Sequence, residues 1–218
     1  MAKRFDLIVF DWDGTLLDSA AAIVHAIQSA CADLGLPVPE DARARHVIGL
    51  GLSDAMRHAV PDLEPEDYGR MVDRYRAHYL ARDHELQLFA GVEELLAELS
   101  DSGYLLAVAT GKSRAGLDRA LKASGLGPRF VASRCADECH SKPHPQMLHE
   151  LMDELGMEPD RTVMIGDTTH DLLMARNASV GGIGVSYGAH PRSDLAALAP
   201  LAIVERVSEL QAWLRANA

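Results

Sequence analysis

Several residue types are scarce in this 218-residue sequence, and each scarcity excludes a class of protein. There are three cysteines, and an odd number in a chain of this length argues against a disulfide framework. No apolar run approaches the roughly 20 residues that a membrane span needs, and the stretch from Leu7 to Phe10 is too short for a signal peptide. We therefore expect a cytoplasmic protein that does not enter membranes.

Basic residues are also scarce. Lysine and arginine total 21 against 32 aspartates and glutamates, which gives a formal net charge of −11. An acidic chain without a basic run is a poor candidate for binding nucleic acid or an anionic membrane surface. The same charge repels an anionic small molecule at long range, so a phosphorylated substrate would need cations placed locally.

Short apolar runs alternate with helical patterns along most of the chain. This alternation predicts an α/β fold with a parallel sheet and helices on both faces. The strand candidates are Leu7 to Phe10, Leu105 to Ala109 and Thr162 to Ile165, with weaker ones at Phe130 to Val131, Ile183 to Val185 and Ala202 to Val204. The helix candidates are Val92 to Leu99, Ala115 to Ala123, Gln146 to Leu155, Leu172 to Asn177 and Val207 to Leu214.

One segment breaks this alternation, because it has helical patterns and no clear strand. Its predicted helices run from Ala20 to Leu34, Leu52 to Ala59 and Glu66 to Ala81, with a turn at Pro37 to Pro39. We interpret residues 18–85 as a helical domain inserted after the first strand. Residues 1–17 and 86–218 then form the α/β core.

Polar residues follow the three strong strand candidates. Asp11 and Asp13 follow the first, Thr110 and Gly111 end the second, and Asp167 follows the third. Ligands of open α/β sheets bind beyond the carboxyl ends of the strands. We therefore expect these residues to meet at one site, which Lys142 can reach from the loop before a helix.

This set suits phosphoryl transfer, which needs an anionic nucleophile and cations or N–H donors around the phosphoryl oxygens. Asp11 can attack, and Asp13 can carry a proton because two nearby carboxylates push their pKa values apart. Lys142, Thr110 and the Gly111 N–H can bind the phosphate. Asp11 and Asp167 suit Mg²⁺, a hard cation that prefers oxygen ligands.

The motifs resemble those of the haloacid dehalogenase superfamily. The run from Phe10 to Ser19, FDWDGTLLDS, is similar to its first motif, and Thr110, Lys142 and Gly166-Asp167-x-x-x-Asp171 match the next three in order. The likeness covers essentially the whole chain, including an inserted helical cap as in the phosphoglycolate phosphatase-like branch.

The resemblance implies a Rossmann-like core and a magnesium-dependent phosphatase that acts on a small phosphorylated metabolite through an aspartyl-phosphate. It implies Asp11 as nucleophile and Asp13 as general acid and base. The metal would be held by Asp11, the Asp13 carbonyl and Asp167, with Asp171 in or near its second shell. Trp12 departs from the Leu or Met that this branch often has, and we expect it to affect packing rather than chemistry.

Other residues have a functional and a structural interpretation. Arg45, His46 and Gly49 lie in a glycine-bearing segment of the insertion that can read the substrate or simply turn between helices. Lys112 and Arg114 can hold an anion or be solvated helix residues, and His170 can lie at the rim of the site or be solvated. The group Cys135, Cys139, His140 and His144 invites a zinc site, but free thiols and surface histidines explain it better.

Three alternatives to a phosphatase exist. A phosphosugar mutase uses the same four motifs, and the residues of this sequence do not exclude that activity. A dehalogenase needs neither Mg²⁺ nor an acid two residues after its nucleophile, yet Asp13 and Asp167 are present. A non-catalytic phosphate-sensing module predicts the loss of at least one of Asp11, Asp13, Lys142 or Asp167, and none is lost.

Overall fold

The computed structural model describes residues 4–218. Within them, a six-stranded parallel sheet has the order β3-β2-β1-β4-β5-β6. Its strands are β1 Leu7–Phe10, β2 Leu105–Thr110, β3 Ala132–Cys135, β4 Thr162–Gly166, β5 Gly181–Val185 and β6 Ala202–Val204. The α-helices are α1 Ala20–Asp33, α2 Asp41–His46, α3 Leu52–Ala59, α4 Tyr68–Arg82, α5 Val92–Asp101, α6 Arg114–Ser124, α7 Gln146–Leu155, α8 Thr169–Asn177, α9 Arg192–Ala196 and α10 Val207–Asn217.

The central strand β1 is apolar on both faces. Ile8 and Phe10 pack in one core cluster with residues of α5 and α10, whereas Leu7 and Val9 pack in another with residues of α7 and α8. Successive side chains of a strand point to opposite faces, so an all-apolar strand requires cover on both sides. The predicted α/β fold with helices on both faces is confirmed.

The inserted helices α1 to α4 form a third core cluster, and α1 packs mainly against α4. The two connections to the core run side by side, with an antiparallel bridge between Leu17 and Leu88 and a hydrogen bond of 2.9 Å from Asp18 N to Gln87 O. The inserted helices α1 to α4, here called the cap, are therefore joined to the core by two adjacent chain segments at one edge.

The edge strand β3 lies further along the chain than the sequence pattern indicated. The prediction of a strand at Phe130 to Val131 is wrong, because the ladder starts at Ala132. Phe130 instead packs its ring against Phe10 and Trp12, and Val131 is exposed. An edge strand with a half-buried, partly polar sequence gives no apolar run to detect.

The short helix α2 was not predicted. Its sequence, DARARH, buries only Ala44, so it lacks the apolar periodicity that identifies a helix facing a core. The helix ends where the glycine-bearing segment of the cap begins, and it thereby aims that segment at the core.

Candidate active site

The site lies at the carboxyl ends of β1, β2 and β4. Asp11 follows β1, Thr110 ends β2 and Asp167 follows β4, and all three are fully buried. The buried Lys142 comes from the loop before α7, and Asp171 comes from the first turn of α8. Parallel strands paired in register place these residues at one edge of the sheet.

The two carboxylate oxygens of Asp11 differ in their surroundings. Its Oδ1 accepts a hydrogen bond of 2.7 Å from the Trp12 N–H and lies 2.8 Å from Lys142 Nζ. Its Oδ2 is buried and has no partner among residues 4–218. Burial raises the pKa of Asp11 well above its usual value, and the charge of Lys142 opposes that rise. One oxygen is therefore anchored by two groups, and the other has no partner in the described part of the chain.

Lys142 neutralises two carboxylates at once. Its ammonium lies 2.8 Å from Asp11 Oδ1 and 2.7 Å from Asp171 Oδ1, and its side chain is 0% exposed. Burial alone would lower the pKa of Lys142, but the two aspartates raise it above its usual range. Lys142 thus stays charged at the bottom of the site.

Asp11, Asp167 and Asp171 can together hold a cation. Each offers an oxygen, and these oxygens lie within 4.8 Å of one another. Thr15 Oγ1 donates to Asp167 Oδ1 at 2.9 Å, and the Ala189 N–H donates to Asp167 Oδ2 at 2.7 Å. A cluster of carboxylate oxygens fits a hard divalent cation.

Burial raises the pKa of Asp167 to about 7, and the charge of Asp171 adds to that rise. Asp171 is oriented by α8 itself, because it forms a capping box with Thr168. Its Oδ2 accepts hydrogen bonds from the Thr168 N–H at 3.0 Å and the Thr168 hydroxyl at 2.7 Å. The capping box leaves Asp171 Oδ1 for Lys142.

Two glycines allow the backbone to approach Asp167. A Cβ built at Gly14 or at Gly188 would collide with the Asp167 side chain, and Gly14 also has a φ of +77°. Such close approach and positive φ are available to glycine without strain. Gly188 was not singled out from the sequence, and its position after β5 gave no signal of this contact.

Asp13 faces the site from the turn after β1. The Ser19 hydroxyl donates to its Oδ1 at 2.6 Å, and Lys112 Nζ lies 3.0 Å from its Oδ2. Lys112 also donates to the hydroxyl of Tyr79 at 3.0 Å. Burial alone would lower the pKa of Lys112, but the contacts with Asp13 and Tyr79 raise that pKa by more, so it lies above the usual range. The sequence alone did not separate this partly buried lysine from an ordinary solvated one.

A loop of the cap lies directly over Asp11. A Cβ built at Gly49 would lie 3.2 Å from Thr168 Oγ1 and 3.8 Å from Asp11 Oδ2, and one at Gly111 would lie 2.6 Å from Gly49 O. The Gly51 N–H donates to Ser141 Oγ at 2.8 Å. Glycine at these positions lets the cap and core backbones touch at the site.

Arg45 and His46 lie beside this loop, outside the residues that line the site cavity. Arg45 is half-buried, and the exposed His46 ring stacks on His190 with 4.9 Å between centroids. The His46 carbonyl accepts hydrogen bonds from the Nε2 atoms of His170 at 2.7 Å and His190 at 3.2 Å. His46 therefore contacts the core through its backbone and ring face.

His190 is neutral in this contact. Its Nδ1 accepts a hydrogen bond from the Thr169 N–H at 3.0 Å, which leaves the proton on Nε2 for the His46 carbonyl. Burial lowers the pKa of His190 to about 4 and also lowers that of His170. Two core imidazoles thus hold the start of the cap loop, and only His170 had drawn attention in the sequence.

The cavity in front of Asp11 and Asp13 has a volume of about 730 Å³. The cap contributes apolar and aromatic side chains, including Ile23, Tyr75 and Tyr79, and the core contributes Lys112 and Arg119. Thr110 lies behind this surface, where its hydroxyl accepts from the Lys112 N–H at 3.2 Å. The cavity therefore lies between the cap and the core and is bordered by Asp11 and Asp13.

The chain matches the family model described as haloacid dehalogenase-like hydrolase over residues 8–185. This chain belongs to that family. A protein of Dickeya dadantii named "Probable phosphatase IndB" is 41% identical, and the match covers 94% of this chain and 91% of the relative. A phosphoglycolate phosphatase of Vibrio vulnificus is 30% identical over 95% of each chain.

A solved structure has a similar fold. The crystal structure described as a predicted phosphatase from Clostridium acetobutylicum is 26% identical, covers 97% of this chain and 99% of that chain, and superposes with a TM-score of 0.86. The family and its named relatives confirm that this hydrolase is a phosphatase. No helix within residues 4–218 combines the length and apolar character needed to cross a membrane.

Two other sequence features have structural explanations. Trp12 is fully buried and packs edge-on against Phe130, with 6.2 Å between ring centroids, so it belongs to the core cluster of the sheet. In residues 4–218, the only group of three candidate ligands within 4.8 Å is the aspartate cluster. Cys135, Cys139, His140 and His144 do not form such a group in that range.

Proposed function

We propose that this hydrolase is a magnesium-dependent phosphatase for a small, phosphoglycolate-like phosphomonoester, and that it acts through an aspartyl-phosphate on Asp11. The observation that carries the proposal is the unpartnered Asp11 Oδ2, which is the one free oxygen of the anchored carboxylate. The similarity to a phosphoglycolate phosphatase of Vibrio vulnificus supports the substrate class, and the buried aspartates support the metal.

In the first half-reaction, Asp11 Oδ2 forms a bond to phosphorus while the bond from phosphorus to the leaving oxygen breaks. The electron pair of that bond goes to the leaving oxygen, which takes a proton from Asp13. Lys142 holds Asp11 Oδ1 and thereby directs the other oxygen at the phosphorus. Thr110 and the Gly111 N–H bind the phosphoryl oxygens.

In the second half-reaction, water attacks the phosphorus of the aspartyl-phosphate and gives a proton to Asp13. The bond between phosphorus and Asp11 Oδ2 then breaks, which releases phosphate and restores the carboxylate. Gly49 and its neighbours keep bulk water from this site while the cap is closed.

Asp11, the Asp13 carbonyl and Asp167 would hold Mg²⁺, and Asp171 would stand beside it. When bound, the cation stabilises negative charge on the phosphoryl group. The donor set is all oxygen, and Lys142 already balances part of the negative charge that a divalent cation would otherwise face alone.

Phosphate release from a panel of phosphomonoesters, measured with and without Mg²⁺, tests the substrate and metal assignments together. We expect a chelator to abolish activity, Mg²⁺ to restore it, and Ca²⁺ to restore it poorly because its larger, looser coordination misplaces the nucleophile. Full activity in excess chelator would contradict the metal assignment.

The nucleophile is tested with Asp11→Asn. This near-isosteric change removes the attacking charge, so we expect turnover to be lost while the protein stays folded. A purified variant that releases phosphate at nearly the wild-type rate would refute the covalent mechanism.

The cap loop is tested with Arg45→Ala and His46→Ala. If these residues tune substrate choice, the variants should change kcat/KM for the preferred metabolite more than for a small generic ester. Equal losses with both substrates would assign the segment a structural role.

A further inference from the structure

Tyr79, Lys112 and Asp13 form a chain of contacts from the cap to the site. Tyr79 lies on α4 of the cap, and Lys112 follows β2 of the core by two residues. Lys112 Nζ is 3.0 Å from the Tyr79 hydroxyl and 3.0 Å from Asp13 Oδ2. The Lys112 and Asp13 side chains are each 11% exposed, so the chain is largely closed to solvent.

Both oxygens of the Asp13 carboxylate are anchored from opposite sides. Ser19, at the start of the cap, holds Oδ1 at 2.6 Å, and Lys112 holds Oδ2. Two contacts at different oxygens fix the plane of a carboxylate, whereas one contact leaves it free to rotate. The orientation of Asp13 therefore depends on Lys112 as much as on its own backbone.

The orientation of Lys112 depends in turn on the cap. A lysine ammonium sits on a flexible four-carbon stem and takes no preferred direction by itself. The Tyr79 hydroxyl accepts one of its protons, and the Tyr79 ring lies 4.9 Å from Nζ, within the range of a cation–π contact. Withdrawal of α4 would remove both contacts at once.

We propose that Lys112 is a positioning residue that orients the carboxyl of Asp13 toward the leaving oxygen, and that the Tyr79 hydroxyl holds Lys112 in place when the cap lies against the core. The inference rests on the proposed function, in which Asp13 carries the proton to the leaving group. Lys112 acts through Asp13 and does not touch the phosphoryl group.

The role of Lys112 has a distinct kinetic signature. The leaving group of an alkyl phosphate is an alkoxide, which needs a proton from Asp13. The leaving group of 2,4-dinitrophenyl phosphate is a stable phenolate, which needs none. Positioned proton transfer contributes about 10²–10⁴-fold to a rate. Loss of Lys112 should therefore slow the alkyl ester selectively.

The test compares kcat/KM for a simple alkyl phosphate and for 2,4-dinitrophenyl phosphate in the wild type, Lys112→Met and Tyr79→Phe. This ratio reports the steps through formation of the aspartyl-phosphate. We expect Lys112→Met to reduce kcat/KM for the alkyl ester at least tenfold more than kcat/KM for the aryl ester, mainly through a lower kcat. Tyr79→Phe should show the same selectivity with a smaller loss.

Lys122→Met is the matched control, because it makes the same substitution at a lysine that is exposed on α6 and lies outside the residues lining the site cavity. It should leave both esters unchanged. If Lys112→Met is poorly folded by circular dichroism, Tyr79→Phe decides the question, since it deletes a single oxygen atom.

Equal losses with both esters in Tyr79→Phe and Lys112→Met would overturn the positioning role, and so would a change confined to KM. Failure of the proposed function looks different: the wild type would then hydrolyse neither ester and would carry no acid-stable or hydroxylamine-sensitive phosphate on Asp11.

Discussion

Lys142 supplies a quantitative test of the site, because it is the buried cation between two buried carboxylates. Replacing it by methionine keeps most of the side-chain volume but leaves Asp11 and Asp171 without their ammonium partner. Removing one partner of a buried ion pair costs about 3–5 kcal/mol. Asp171 keeps its two hydrogen bonds from Thr168. We therefore expect a loss of unfolding free energy near the middle of this range, at about 4 kcal/mol.

For a domain of this size, about 1 kcal/mol shifts the melting temperature by roughly 2–4 °C. Lys142→Met should therefore melt about 8–16 °C below the wild type when both are measured in a chelator. Urea unfolding followed by circular dichroism gives the free-energy difference directly. Lys122→Met is the control, because Lys122 is exposed on α6, and it should change the unfolding free energy by less than about 0.5 kcal/mol.

The loss should also depend on pH in a defined direction. An aspartate whose folded pKa is raised destabilises the fold as pH rises from its unfolded pKa toward its folded one. Asp11 has a raised pKa, so the deficit of Lys142→Met should be smaller near pH 5 than near pH 8. Adding Asp171→Asn should recover part of the lost stability. An unfolding free energy within about 1 kcal/mol of the wild type at neutral pH would refute this account of Lys142.

Three further predictions concern the same region. Gly188→Ala places a methyl group against Asp167 and should cost about 1–3 kcal/mol in urea unfolding, whereas Gly69→Ala, in open space on α4, should stabilise by up to about 1 kcal/mol. Calorimetric titration of Mg²⁺ should show about tenfold weaker binding for each pH unit below about 7, because a proton on Asp167 competes with the cation; pH-independent binding would exclude Asp167 as a ligand. Trp12→Phe removes a buried indole N–H that has no partner in the described chain, but it also loses ring volume. Because these two effects oppose each other, the unfolding free energy of the variant should stay within about 1 kcal/mol of the wild-type value. A loss of ~3–5 kcal/mol, as for a large-to-small change such as Phe10→Ala, would contradict this.

The sheet could be predicted from the sequence where its strands are buried on both faces. Strand β1 has the predicted bounds, and β2 and β4 end one residue later than predicted. These strands give continuous apolar runs, which are hard to mistake. The edge strand β3 and the polar helix α2 could not be found, because neither has a repeating apolar side.

The site was predictable only as far as residues carry a local signal. Asp11, Asp13 and Asp167 stood out because they follow apolar strands, and Lys142 stood out because it matches the third motif of the family. Their catalytic and metal-binding roles, and the specificity roles of Arg45, His46 and Gly49, stay predictions.

Long-range contacts gave no such signal. The contact between His190 and the His46 carbonyl joins the core to the inserted helices, and the approach of Gly188 to Asp167 joins two separate loops. The pairing of Lys112 with Tyr79 likewise depends on how the cap settles on the core. Sequence patterns report on residues that are close along the chain and not on these tertiary contacts.

The central position of β1 has a consequence for how the chain assembles during synthesis. Leu7 pairs with Leu105 on one side and Thr162 on the other, so the first strand to leave the ribosome waits for partners that are made much later. The cap helices between them pack mainly with one another and can collapse in the meantime. Closing so long a loop is slow. Asp11, which follows β1, therefore meets Asp167 and Asp171 only when most of the chain has emerged, and a nascent chain stopped before β4 contains Asp11 and Lys142 but neither of these two aspartates.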